Sequence, residues 1–189
     1  MMGDKRIIVG VSGASGVGLA VELLKALGEQ EGIERHLVMT RGAELTMADE
    51  DISPEKLREL ADREYDINDF GASISSGTYR TMGMVVIPCS MKTVAGINSG
   101  FSDNLLLRAA DVTIKEQRKL VLVVRETPLS PIHLKNMLCL SQMGVVIMPA
   151  MMSFYNSIST AEDMKRHLIG KILDQFGLEH PGFKRWGEP

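Results

Sequence analysis

Aromatic residues are scarce in this 189-residue chain (5 Phe, 3 Tyr, 1 Trp), cysteine occurs twice, and no basic block exceeds two residues. Each shortage excludes something. A core poor in rings must close by aliphatic packing, and the 13 Met supply adaptable filler for it. Cys89 and Cys139 have neither metal-ligand spacing nor the density of a disulfide scaffold, so both are expected to be reduced and buried. With 21 basic against 24 acidic residues the net charge is −3, which argues against a sequence-independent grip on nucleic acid or anionic membrane. No apolar run approaches the roughly 20 residues that span a bilayer. The opening MMGDKRIIVGVSG lacks a signal-peptide layout, so the expected location is the cytoplasm.

What the chain does have is a repeated alternation. Ile7–Val11 is a β-branched run ended by Ser12-Gly13-Ala14-Ser15-Gly16, and Leu19, Ala20, Leu23, Leu24 and Leu27 then follow at helical spacing. Further strands are expected at His36–Met39, Met84–Pro88, Leu120–Val124 and Val145–Pro149. Ser53-Pro54 and Ser130-Pro131 read as helix starts, Asp103 as the cap of a helix from Asn104 to Gln117, and Thr160–Asp163 as a near capping box. Periodicity fails from Asp66 to Thr81, a serine-rich loop. Five strands alternating with helices predict a single α/β domain over residues 1–177, a doubly wound, flavodoxin-like open parallel sheet, with a tail at 178–189.

In such sheets ligands bind beyond the carboxyl ends of the strands, where Ser12–Gly16, Thr40-Arg41, Ser90–Thr93, Arg125-Glu126 and Tyr155-Asn156 should converge. Ser12–Gly16 offers backbone N–H groups, hydroxyls and close approach, the parts of a phosphate site. It matches neither the dinucleotide fingerprint nor a Walker loop, and a turn serving chain reversal fits it equally well. Ser90-Met91-Lys92-Thr93 is a second hydroxyl-rich helix start that reads also as a plain cap. With Thr40 it suits flavin mononucleotide (FMN) better than a dinucleotide. Arg108, Lys115, Arg125 and Lys171, with the Tyr155 hydroxyl, are candidates for a second phosphate, although each cation alone reads as a surface charge. Glu126 suits a proton relay or a structural ion pair. His36 and His133 read as packed or capping histidines, and no residue set has metal spacing.

The ordered succession Ile8–Gly16, Pro88–Thr93, Arg108-Ala109-Ala110-Asp111, Arg125–Leu129, Phe154-Tyr155 and Arg185-Trp186-Gly187 closely resembles the UbiX family of flavin prenyltransferases over almost the whole chain. The resemblance implies metal-free transfer of a dimethylallyl group from dimethylallyl phosphate to N5 and C6 of reduced FMN, with the prenylated FMN passed to a UbiD-type decarboxylase. It implies FMN contacts from Gly13, Ala14, Ser15, Thr40, Ser90, Met91, Lys92, Thr93 and Arg125. Tyr155, Lys171, Arg108, Lys115 and the loop aromatic Phe70 fall on the prenyl-phosphate side. Ser15, Glu50, Glu126, Lys115 and Trp186 fall on catalytic positions. It further implies a homo-oligomer, a dodecamer built from trimers with sites at subunit contacts, Arg108 reaching a neighbour, and the tail closing over the site. Two other readings of the residues remain: a flavin-dependent aromatic acid decarboxylase, which some relatives of this fold run with a flap cysteine, and a non-catalytic FMN-carrying subunit.

Overall fold

The structure, a computed structural model, describes residues 5–154, 160–181, 183, 185 and 187. Six parallel strands run β1 (Arg6–Val11), β2 (Glu34–Met39), β3 (Arg63–Tyr65), β4 (Gly83–Cys89), β5 (Lys119–Val124) and β6 (Val146–Ile147). Their order in the sheet is β3-β2-β1-β4-β5-β6. The helices are α1 (Gly18–Gly28), α2 (Arg41–Asp49), α3 (Pro54–Leu60), α4 (Met91–Ser99), α5 (Leu105–Lys115), α6 (Pro131–Gln142) and α7 (Ala161–Asp174). The expected doubly wound sheet is observed.

The continuous apolar runs are explained by cover on both faces, because side chains alternate along a strand. Ile7, Val9, Val11, Leu37, Val85, Ile87, Val121 and Val123 join α1 and α7 in one core, while Ile8, Val38, Met84, Val86, Leu120, Leu122 and Val124 join α4 and α5 in the other. Each such side chain removed from water contributes roughly 1.5–3 kcal/mol, so a polar residue at any of these strand positions would be costly.

Four local expectations need correction: the count of five strands, the length of the last one, and the caps at Asp103 and Ser53. The edge strand β3 is three residues long with only Tyr65 buried, too short to show a period. The last strand is shorter than the expected Val145–Pro149, yet its ladder continues irregularly, with Met148 N–H donating to Leu122 O and Ala150 N–H to Val124 O. Pro149 between them has no N–H to give. The cap of α5 is Asn104, whose side chain accepts from Leu107 N–H at 3.0 Å, while Asp103 accepts from the Asn104 amide. Ser53 makes no capping hydrogen bond, whereas Ser130 with His133, and Thr160 with Asp163, form full capping boxes.

The serine-rich loop is firmly strapped despite its lack of period. His36, buried in β2, places Nδ1 2.8 Å from the Tyr65 hydroxyl, which lies 2.9 Å from Ser73 Oγ, and its Nε2 is 3.3 Å from Glu34. Arg108 and Arg118 donate to the loop carbonyls of Ser75, Gly77 and Tyr79. Burial pushes the His36 pKa down, against a smaller upward pull from Glu34; Arg6 and Arg63 also press it down. Tyr65 and Tyr79 complete its surroundings. A depressed folded-state value means that the stability is present above the unfolded pKa, about 6.5, and is lost as pH falls. The urea midpoint is therefore expected to drop between pH 7.5 and 5.5, and His36→Gln to show a shallower drop. Equal slopes for the two proteins would refute this. His167 and His180, likewise lowered by burial, leave a residual slope in the variant.

Candidate active site

The sheet order turns at β1, with β2 on one side and β4 on the other, so a crevice opens between the carboxyl ends of β1 and β4. The chain segments leaving the strands are tied to one another there. Ser12 donates its backbone N–H to Pro88 O at 3.2 Å and its hydroxyl to the same carbonyl at 3.0 Å, while Ser90 N–H donates to Ser12 Oγ at 2.9 Å. Thr40 N–H donates to Val11 O, and Arg125 N–H to Cys89 O. Four of the five polar clusters thus meet at one edge. The fifth, Tyr155-Asn156, lies outside the described residues, as does Trp186.

Two helix starts face this crevice. Thr40 caps α2 by accepting from Ala43 N–H at 3.1 Å, and Ser90 caps α4 by accepting from Thr93 N–H at 3.3 Å. Ser90 Oγ also lies 3.1 Å from Thr93 Oγ1. Met91 and Thr93 are buried, whereas Lys92 is exposed. The glycine loop is held from below by Glu50, the residue closing α2, whose carboxylate accepts from Gly16 N–H. Gly16 itself has φ +106°, which disfavours a side chain. Gly13 rests against the backbone of Gly42, where a Cβ would come within 2.8 Å of a carbonyl carbon.

A groove of about 840 Å³ leads off this edge, with Gly13, Thr40, Gly42, Ser90, Lys92 and Thr93 at one end. Ser15, Arg125, Glu126 and Phe70 are exposed, and Glu126 turns back to accept from Thr127 N–H. The remaining cations are elsewhere. Arg108 and Lys115 lie two turns apart on α5 and line a different, polar groove of about 670 Å³ with Ser76, Thr78, Arg80 and Arg118. Arg108 pairs with Asp111 at 2.7 Å, and Lys115 pairs with Glu116, holding that carboxyl below its usual range. Lys171 is exposed on α7 and lines neither groove.

The flavoprotein family model matches residues 1–174. Flavin prenyltransferase LpdB of Lactiplantibacillus plantarum is 51% identical over 183 residues, covering 96% of this chain and 98% of that protein. The chain belongs to the UbiX-like flavin prenyltransferases. Its fold superposes with a TM-score of 0.94 on a dodecameric FMN-dependent UbiX-like decarboxylase from Escherichia coli O157:H7, 53% identical, covering 97% of this chain and all of the other. The same score relates it to AnUbiX solved with FMN and dimethylallyl pyrophosphate, 47% identical, covering 98% and 99%.

For a UbiX-like protein the edge is chemically apt. Backbone N–H groups at helix starts, hydroxyls and a glycine surface are the donor set that a flavin phosphate needs. Gly42 and Arg118 were not singled out by sequence reasoning. The signal for Gly42 was a glycine two residues after the strand-end hydroxyl Thr40. Arg118 had none, since its role depends on a loop 39 to 41 residues away. The expectation for the cysteines holds only in part. Cys89 is fully buried, with its thiol pKa pushed up by burial, but Cys139 on α6 is half-buried.

Proposed function

We propose that this chain transfers a dimethylallyl group from dimethylallyl phosphate to N5 and C6 of reduced FMN, and that the prenylated FMN serves a UbiD-type decarboxylase. The observation carrying this reading is the convergence of Gly13, Thr40, Ser90 and Thr93 at the switch point of a chain half identical to named flavin prenyltransferases. Gly13, Ala14, Ser15, Thr40, Ser90, Met91, Lys92, Thr93 and Arg125 hold the flavin. FMN supplies the nucleophilic ring atoms and a π face.

The chain's own residues serve the leaving group. Breaking an allylic C–O bond puts negative charge on phosphate and positive character on the allyl fragment, so preorganised cations around the phosphate lower the barrier. From one copy, Lys171 provides such a charge and the Tyr155 hydroxyl a hydrogen-bond donor. Arg108 and Lys115 lie in a separate groove, and this separation favours their serving the site of a neighbouring copy. Exposed apolar side chains, among them Ile132, Leu134 and Leu138 on α6 and Met151, Met152 and Phe154 beyond β6, are available to such a neighbour. The E. coli relative is dodecameric. Glu126 manages protons at the flavin edge, Glu50 fixes the glycine loop that presents Ser15, and Phe70 and Trp186 border the allyl group.

The deciding experiment is mass spectrometry of the flavin after anaerobic incubation of enzyme, reduced FMN and dimethylallyl phosphate. A gain of one prenyl unit is expected, and an unchanged FMN mass would sink the reading. The decarboxylase alternative gains nothing from the cysteines. Cys89 is sealed in the core and Cys139 sits within a helix, so neither occupies a flap. Turnover of an aromatic acid by the purified protein alone would favour it.

A further inference from the structure

The chain turns after α7 at Gly177, φ +67°, and folds back along that helix. Several attachments among the described residues hold the returning segment. Gln30, just past α1, donates to Glu179 O at 2.9 Å. Phe183 fills the space that Gly170 leaves, where an added Cβ would lie 2.3 Å from the Phe183 ring, and its ring centroid is 5.3 Å from that of His167. Arg185 grips Asp174 with two parallel hydrogen bonds of 2.8 and 2.7 Å, reaches Glu179 at 3.2 Å, and its guanidinium carbon lies 5.3 Å from the Phe183 ring centroid.

The Phe183 and Arg185 attachments bracket Lys171. Gly170 precedes it, Asp174 follows three residues later, and His167 stands four residues before, on the same face of the helix. Lys171 is close enough to contribute to the lowering of the His167 pKa. A planar guanidinium forked on a carboxylate sets direction as well as distance. The Arg185 and Asp174 side chains are 32% and 25% exposed, a setting in which an ion pair adds only about 0–1 kcal/mol to stability. Such a pair matters more for where the segment lies than for whether the protein folds.

We propose that the Asp174–Arg185 fork and the Gly170–Phe183 contact form a latch that fixes the C-terminal segment beside Lys171 and so positions the prenyl-phosphate side of the site. Asp174, Arg185, Gly170 and Phe183 are positioning residues in this assignment, which rests on the prenyltransferase reading. The latch acts on prenyl-phosphate recognition and leaves flavin binding alone, because the flavin contacts lie on the loops after β1, β2, β4 and β5.

The test compares wild type with Arg185→Ala, Gly170→Ala and the charge swap Asp174→Arg with Arg185→Asp. Gly170→Ala is informative because alanine favours the helix while its methyl group would displace Phe183. Trp186 is the single tryptophan and adjoins Arg185 in sequence, so acrylamide quenching of its emission reports the segment directly. Both single variants are expected to raise the quenching constant and to raise KM for dimethylallyl phosphate on the order of tenfold, with the Kd for FMN unchanged and partial recovery in the swap. Unchanged quenching in both single variants overturns the latch. Raised quenching with unchanged KM overturns its role at the site. Absence of prenyl transfer by wild type would be a failure of the proposed function instead, and quenching would still decide whether the latch exists.

Discussion

Gly13→Ala is expected to remove most flavin binding. A Cβ at Gly13 would stand 2.8 Å from the carbonyl carbon of Gly42, 2.9 Å from its oxygen and 3.0 Å from its Cα. All three are backbone atoms at the start of α2, and that backbone is pinned by Thr40 N–H on Val11 O and by the Thr40 cap. The clash cannot be relieved by rotating a side chain, so the glycine loop must lift away from α2 and carry Ala14 and Ser15 with it. Overpacking of this kind costs about 1–3 kcal/mol, which corresponds to roughly 5- to 150-fold in affinity if it falls wholly on the flavin-binding conformation. The reciprocal substitution provides an internal control. A Cβ on Gly42 meets Gly13 Cα at 3.4 Å and Thr40 Oγ1 at 3.7 Å, near ordinary contact distance, so Gly42→Ala should bind FMN almost normally. Titration of the apoproteins with FMN, followed by flavin fluorescence, measures both. Equal affinities for the two variants would show that the close approach does not govern the site.

That contrast also marks what a sequence can and cannot disclose. The strands were legible because Ile7–Val11, Met84–Ile87 and Leu120–Val124 are buried on both faces and so read as unbroken apolar runs. From their alternation with helices the parallel sheet followed, and with it the edge where Ser12, Thr40, Ser90 and Arg125 meet. The edge strand Arg63–Tyr65 was hidden because two of its three residues face solvent. The loop after it was legible as aperiodic, but its rigidity was not. Tyr65, Ser73, Tyr79, Arg108 and Arg118 hold it through contacts between residues 8 to 41 positions apart, which no local pattern encodes. Chemistry-bearing residue types were visible one by one, whereas their division between two grooves is a property of the packed helices.

Lys115 shows why that division was almost within reach, and it yields the other large expected effect. On α5, Leu105, Leu106, Ala109, Ala110, Val112 and Thr113 are buried, and Arg108, Asp111 and Lys115 follow the opposite stripe at spacings of three and four. An amphipathic helix that turns one stripe to its own core must offer the other to water or to another copy. Lys115→Ala is therefore expected to bind FMN as wild type does and to lose prenyl transfer by about 10²- to 10³-fold, the scale on which one preorganised charge at a leaving group acts. Glu116, now its ion-pair partner, must release it for this work, so Glu116→Gln should leave activity intact. The decisive form of the experiment mixes two defects. In oligomers co-expressed from Lys115→Ala and Gly13→Ala chains carrying different tags, a site drawing its glycine loop from one copy and its lysine from a neighbour is whole in about a quarter of random pairings. Activity near that fraction is expected from material purified through both tags. If each chain instead supplied its own lysine, every site would hold one defect and the mixed oligomers would be as inactive as the parents, which would return Lys115 to a surface role or to its own chain's site.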